Sequence, residues 1–352
     1  MIKIFILQKR VISVIAFSFF LIIVLFFTHC SRDSLYRESR MSMDTLVSIT
    51  VRSASKKEAD HAIKAGFKEI EELADLLDYY SPTSEITAIN KNAGKKPVKV
   101  SNQTLDVIKK SLEIARLTDG AYDPTIGPVM KLWDFVNKIK PEQSVLQENL
   151  PLVDYRKVDI NVENSTVFLR NKGMELDLGG IAKGYAADRA LDVITSQGIK
   201  AVLVAIAGDI KCSGLKPGEI SWHVGIQSPR DDEKCVSENN ILASLFLDDQ
   251  AISTSGDYQR YFIENGIRYH HLLNPKTGMP SHELISVSLI AKMGVMTDAL
   301  ATGVFVMGID KGIKLLTSLG IDGVFVDKDK KVFITEGLKN RLTISCDYSI
   351  VQ

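Results

Sequence analysis

KVDINVENSTVFLRNKGMELDL, residues 157–178, carries three short runs in which apolar and polar side chains alternate, VDINV, TVFLR and MELDL. The NS and NKG breaks between them are turn signals, so the stretch predicts an antiparallel meander. Outward from it, AVLVAIA (201–207), WHVGI (222–226), ILASLFL (241–247), ISVSLIA (285–291), GVFVD (323–327) and KVFIT (331–335) read as further strands, and Leu46, Val47, Ile49 and Val51 mark an early one. Ala59, Ile63, Phe67, Ile70, Ala74 and Leu77 recur at helical spacing between Lys56 and Tyr80. A second helix runs from a Ser101 cap through Leu105, Ile108, Leu112 and Ala115 to near Gly120, and others fall at 182–196, 297–307 and 311–319. These elements follow no regular βαβ beat. The pattern predicts an α+β fold of mainly antiparallel sheets flanked by helices. The polar, proline-bearing stretch 137–155 reads as a boundary or a surface excursion.

A chain of 352 residues, 45% of them hydrophobic, can bury one large core or two ordinary ones, which excludes general disorder. Lys and Arg number 43, as do Asp and Glu, so the basic footprint of a nucleic-acid-coating protein is missing and no nucleic-acid partner is expected. Four cysteines without a CxxC pair make neither a disulfide scaffold nor a thiolate zinc site. Any metal is therefore expected on oxygen. Cys212, Cys235 and Cys346 allow at most one internal disulfide, and none is expected to act as a nucleophile.

Lys3, Lys9 and Arg10 precede an uncharged, apolar stretch from Val11 to Thr28 that ends just before Cys30. This order resembles a secretory signal, and the run is also long enough to cross a bilayer as an uncleaved anchor. A cysteine at that place resembles the lipobox of bacterial lipoproteins, although Phe27, Thr28 and His29 stand where that pattern has leucine and small residues. The expected organisation is a signal peptide or lipoprotein anchor over 1–30, a polar tether over 31–42 and a folded domain over 43–352. The expected location is the cell membrane, lipid-anchored at Cys30, with the domain extracytoplasmic, on the periplasmic side where there are two membranes.

Five segments concentrate small, acidic and hydroxyl residues: TDGAYDPTIGP, LDLGGIAKGYAAD, AIAGDIKCSG, ISTSGDY and HHLLNPKTG. Such segments let backbone approach a ligand, yet none is the GxGxxG or GxxxxGK[ST] of a Rossmann or Walker loop. In TDALATG (297–303), Asp298 and Thr302 stand four apart and share a helical face, offering two hard oxygens to Mg2+. An aspartate favoured by the helix dipole and a threonine bonded to the preceding turn would give the same spacing. His271 is a candidate general base, with His270 beside it left open by periodicity. Lys183, at a helix start, can neutralise phosphate or simply be solvated; Asp177 can bond a ligand or cap.

In order along the chain, MDT (43–45), YSPTSEITAIN (80–90), TDGAYDPTIGPVMKLWDF (118–135), LDLGGIAKGYAADRA (176–190), AGDI, STSGDYQRYF, HHLLNPKTGMP and TDALATG resemble the ApbE family of flavin transferases, from about Ser42 to Met307. The resemblance implies an ApbE/T-fold-like architecture, one large catalytic unit with two lobes. It implies transfer of the FMN part of FAD to a Ser or Thr hydroxyl of a protein, releasing AMP, with Mg2+ assisting. By position, Asp298 and Thr302 would be side-chain metal ligands and Gly180 a carbonyl ligand. Met43, Tyr80, Ala121, Tyr122, Asp123, Asp177, Lys183 and Leu272 would line the flavin nucleotide, and His271 would take the acceptor's proton. Two motifs depart from the family pattern: MGT reads Met43-Asp44-Thr45, and GGDI reads Ala207-Gly208-Asp209-Ile210. The implied partners are FAD, a membrane redox subunit as acceptor, and the membrane itself. FAD hydrolysis to FMN and AMP, and FAD binding by a non-catalytic lipoprotein, remain the alternatives.

Overall fold

The computed structural model describes residues 33–230 and 240–351. The region 1–30, with Cys30 and its signal-like run, and Cys235 lie outside the described residues. The strands are β1 (Ser34–Ser42), β2 (Thr45–Ser53), β3 (Val98–Lys99), β4 (Val158–Asn161), β5 (Thr166–Leu169), β6 (Ala201–Ile206), β7 (Asp209–Ser213), β8 (Trp222–Gln227), β9 (Ile241–Leu247), β10 (Ala251–Gly256), β11 (Tyr261–Glu264), β12 (Ile267–His270), β13 (Leu284–Ala291), β14 (Asp322–Asp327), β15 (Val332–Ile334), β16 (Leu342–Ile344) and β17 (Ile350–Val351). The helices are α1 (Lys56–Leu77), α2 (Glu85–Lys91), α3 (Asn102–Leu117), α4 (Gly127–Met130), α5 (Gln143–Asn149), α6 (Ala182–Ser196), α7 (Gly294–Met307) and α8 (Ile309–Leu319).

Nine strands form one sheet in the order β1-β2-β6-β7-β10-β13-β14-β15-β17. Its pairs are antiparallel except β15 with β17. Side chains alternate across a strand, so each strand feeds two cores. Val202, Val204, Ile206, Val287, Leu289 and Phe325 face the helices, while Ala201, Ile290, Val324 and Val326 face the small sheet β16-β9-β8. Burial on both faces explains why AVLVAI and LISVSLIA read as nearly continuous apolar runs. The expected α+β, mainly antiparallel architecture is the one found.

On the helical side, Ser55 caps α1, whose stripe Ala59, Ile63, Phe67 and Ile70 is buried. Ser101 caps α3. Gly66 lets α1 lie against α6, since a Cβ there would come within 2.6 Å of Ile194 Cδ1.

Several expectations need correction. Residues 34–42 are not tether but the edge strand β1, paired with β2 along its whole length. Their polarity reflects the edge position: Arg40 lays its guanidinium 4.3 Å from the Phe67 ring centre and ion-pairs with Glu38 and Glu71. MELDL is not the third strand of a meander. β4 and β5 pair as expected, but the third partner is β3. Leu176 instead satisfies its backbone on the Asn90 amide, at 2.7 Å for its N–H and 3.0 Å for its carbonyl. The first helix stops at Leu77, short of Tyr80. The stretch 137–155 is no boundary, because α5 buries Leu146 in a cluster with Val129, Trp133, Phe262, Tyr269 and Leu273. Cys212 is a free, buried thiol, its pKa pushed by burial up to about 11, and Cys346 is disulfide-bonded.

Candidate functional site

The site is built where α6 and α7 cross. At Gly184 the two backbones touch: a Cβ would run into the Gly294 carbonyl and lie 2.7 Å from Asp298 Cβ. That closeness lets the Gly184 amide donate to Asp298 Oδ2 at 2.9 Å, and the Lys183 amide donates as well. Ile181, the residue before α6, supplies no side-chain cap. Asp298 therefore serves the N-terminus of α6 from a neighbouring helix, where two free amides and the dipole favour an anion. Thr302 sits one turn on, its Oγ1 3.4 Å from Ser255 Oγ on β10 and 3.4 Å from where a Gly180 Cβ would stand. Ser253 fixes α7 to β10 through Thr297 at 2.8 Å.

Asp209, at the start of β7, faces the same centre. Burial raises its pKa above the usual carboxylate range, Asp298 adds to this, and Lys183 and a Ser253 hydrogen bond oppose it. Burial raises Asp298 too, against the pull of Lys183. Lys183 stays charged because Asp298 and Asp209 outweigh its own burial, and its Nζ donates to the Gly179 carbonyl at 3.1 Å. Two buried carboxylates thus share one ammonium. Among the described residues no group of three or more His, Cys, Asp or Glu side chains is arranged to hold a metal.

The two histidines are separated by their hydrogen bonds. His270 is 1% exposed; its Nε2 donates to the Ser281 carbonyl at 2.7 Å and its Nδ1 accepts the Leu272 amide at 3.2 Å. Both nitrogens are engaged. His271 is half-buried, and the Arg260 carbonyl accepts from its amide at 3.1 Å and from its Nδ1 at 3.3 Å. A proton on Nδ1 leaves Nε2 as a free lone pair. Burial first, then Arg260 and His270, lower the His271 pKa to about 3, so the ring is neutral.

Of the other sequence candidates, Asp177 lies beside Lys183 and Arg260; burial raises its pKa, while the Gly179 amide at 2.8 Å and these two cations oppose the rise. Its own amide donates to Pro124, tying it to the 121–125 loop. Within that loop Ala121 is half-buried, and Tyr122 is core, its hydroxyl 3.3 Å from Ser111. The Asp123 carboxylate is occupied internally by the Thr125 amide and hydroxyl and the Tyr155 amide. Tyr80 is 74% exposed, edge-on to Tyr79, and its hydroxyl senses both Asp177 and Arg260. Met43 and Asp44 form the β1–β2 turn with φ of 52° and 56°. Leu272 is buried behind the histidines. Sequence reasoning quoted Asp209, Ser255 and Arg260 inside their motifs without giving them roles. No local pattern singles them out: Ser255 and Arg260 stand among other polar residues in STSGDYQR, and Asp209 in AGDIK.

One large, mainly antiparallel sheet with helices packed on one face, and an acidic, oxygen-rich centre where two of those helices cross, define the class. Residues 43–325 match the ApbE family, and the chain belongs to that family. It is 32% identical over 327 residues to the FAD:protein FMN transferase of Treponema pallidum, covering 88% of this chain and 89% of that one. The crystal structure of the ApbE protein from Thermotoga maritima superposes with a TM-score of 0.80 at 31% identity, covering 87% of this chain and 98% of its own. The flavin transferase ApbE from Vibrio cholerae gives 0.77 at 29% identity, covering 88% and 99%.

Proposed function

We propose that this chain transfers FMN from FAD to a Ser or Thr hydroxyl of an acceptor protein and releases AMP. Membership of the ApbE family and the likeness to FAD:protein FMN transferases over nearly the whole described chain support the overall reaction. The observation that carries it at residue level is a neutral His271 with a free Nε2 within the field of Lys183, the ammonium that also serves Asp298 and Asp209.

Gly180, Asp298 and Thr302 would hold Mg2+, and the donor set fits: a carbonyl, a carboxylate and a hydroxyl are hard oxygens, and Asp209 adds negative charge that Lys183 alone does not balance. Bound there, the ion would draw charge from a pyrophosphate. The protein's own groups do the rest. His271 Nε2 takes the proton as the acceptor oxygen bonds to the flavin-side phosphorus, and the bond to the bridging oxygen breaks with its electron pair leaving on AMP. Lys183 favours the anionic reactants, while the amides at the start of α6 hold Asp298 in place. Met43, Tyr80, Ala121 and Asp177 would border the nucleotide, with Tyr122, Asp123 and Leu272 shaping the walls from beneath.

The signal-like N-terminus supports attachment to a membrane, with Cys30 lipidated and an extracytoplasmic membrane redox subunit as acceptor. No helix among the described residues is long and apolar enough to cross a membrane. Incubation with FAD and an acceptor, with and without Mg2+, followed by mass analysis of the acceptor and assay of AMP, tests the reading. Mg2+-dependent protein-bound FMN with equimolar AMP is expected; FMN and AMP without protein-bound flavin would make the chain a hydrolase instead.

A further inference from the structure

Arg260 lies in the turn between β10 and β11, with its backbone carbonyl holding both the amide and the ring of His271. The next residue, Tyr261, is in register with His270. The arginine's backbone is therefore fixed relative to the candidate base. Its guanidinium is another matter. The nearest acid along the chain, Asp257, is already gripped by Arg230 through two 2.7 Å hydrogen bonds and has Arg268 at 3.7 Å. No carboxylate among the described residues forms an ion pair with Arg260, and its residue is exposed. Its charge nevertheless reaches Tyr80, Asp177, Lys183 and His271, opposing protonation at each. An exposed guanidinium without an ion pair among the described residues thus extends from the turn that holds His271, with Asp177 as the buried carboxylate whose charge it opposes.

We propose that Arg260 binds phosphate oxygens of the FAD pyrophosphate and takes up charge that develops as the bridging P–O bond breaks and its electron pair leaves on AMP. This rests on the transfer reading above. A planar fork of donors matches a phosphate in two-point contact, which an ammonium cannot do. It also explains how one centre accommodates both two buried carboxylates and a dianionic diphosphate. Lys183 and the proposed Mg2+ answer the carboxylates, and Arg260 adds a cation for the ligand.

The test measures FAD affinity, in the presence of Mg2+, for the wild type, Arg260→Met, Arg260→Lys and His271→Asn, alongside the transfer rate at saturating FAD. Loss of a charge-assisted phosphate contact predicts roughly 10- to 100-fold weaker FAD binding for Arg260→Met. Partial recovery is expected in Arg260→Lys, and near-wild-type FAD affinity in His271→Asn. FAD binding by Arg260→Met equal to the wild type, with only the rate reduced, would overturn the proposal and reduce Arg260 to a positioner of His271. Should the wild type yield AMP without a flavinylated acceptor, the transfer reading fails while the affinity comparison still decides the role of Arg260. If the methionine variant does not fold, the lysine variant's affinity, expected between those extremes, carries the comparison.

Discussion

His271 keeps its proton on Nδ1 because the Arg260 carbonyl faces that nitrogen, and it stays neutral because burial, Arg260 and His270 all disfavour the imidazolium. With the pKa near 3, the ring is fully unprotonated from pH 5 to 8, so under its proposed role as general base the acid limb of the rate profile should fall below pH 4 rather than near 6.5. His271→Asn should slow transfer by roughly 10²–10⁴-fold, in line with loss of a general base, and leave folding intact. Steady-state rates across pH, read with covalent flavin as product, check both. His270 works differently. Burial, and a Leu272 amide already pointed at Nδ1, hold it neutral with a pKa near 4 against 6.5 in the unfolded chain. Below pH 6.5 the unfolded state gains a proton that the native state refuses, so stability falls as pH drops to about 4 and then levels. The loss is up to about 3 kcal/mol. Comparing thermal or denaturant unfolding of the wild type and His270→Gln between pH 7 and 4 should show a shallower decline in the variant; parallel declines would remove His270 from the account.

At the scale of elements, the α6–α7 crossing makes the site, and a glycine makes the crossing. Gly184→Ala should push the helices apart at the Gly294 carbonyl and displace Asp298 from the α6 amides, with a cost of at least 1–3 kcal/mol from overpacking and near-complete loss of activity. Calorimetry and the AMP assay would show both. The β6–β7 turn is a milder case. Ala207 has φ of 52°, a left-handed conformation that costs a residue with a Cβ about 1 kcal/mol, so Ala207→Gly should raise unfolding stability by about that much without loss of transfer. The departure from GGDI is thus a matter of backbone strain; the extra methyl was legible in the sequence, the φ was not. The same division holds elsewhere. Long periodic helices and strands covered on both faces, such as α1, α3, β6 and β13, could be read because their apolar spacing is set by the core. β1, β7 and β10 could not, since their polar or small residues satisfy the edge of a sheet or line the site, whereas the hairpin β11–β12 carries a legible Asn265-Gly266 turn between apolar strands that the sequence reading did not include. Asp298 and Thr302 were visible through helical spacing. Asp209 and Arg260 act across long sequence separations, and no local pattern announces that.

For the whole molecule, the edge strand would set the distance between a lipid anchor at Cys30, as proposed, and the chemistry. β1 enters the sheet at Ser34 and ends at the Met43-Asp44 turn. That turn lies at the same end of the sheet as the Ala207-Gly208 turn, through the Ala207 amide on the Leu46 carbonyl at 3.2 Å and the pairing of Val47 with Ile206. Nine extended residues span about 30 Å, so the acidic centre stands about that far from the first strand residue. If Cys30 carries the lipid, only Ser31, Arg32 and Asp33 separate it from the fold. Three residues give little play, at most about 3.6 Å each, and the domain would be kept close to the bilayer with the site raised to a nearly fixed height. A membrane-embedded acceptor presented at that height meets a high effective concentration of enzyme, which a longer flexible tether dilutes. Inserting about 20 Gly/Ser residues after Arg32 should therefore slow flavinylation of a membrane-bound acceptor several-fold and leave the rate on a soluble acceptor fragment unchanged. Equal slowing of both would point to damage at β1, and no slowing of either would mean that the short connection has no part in acceptor choice.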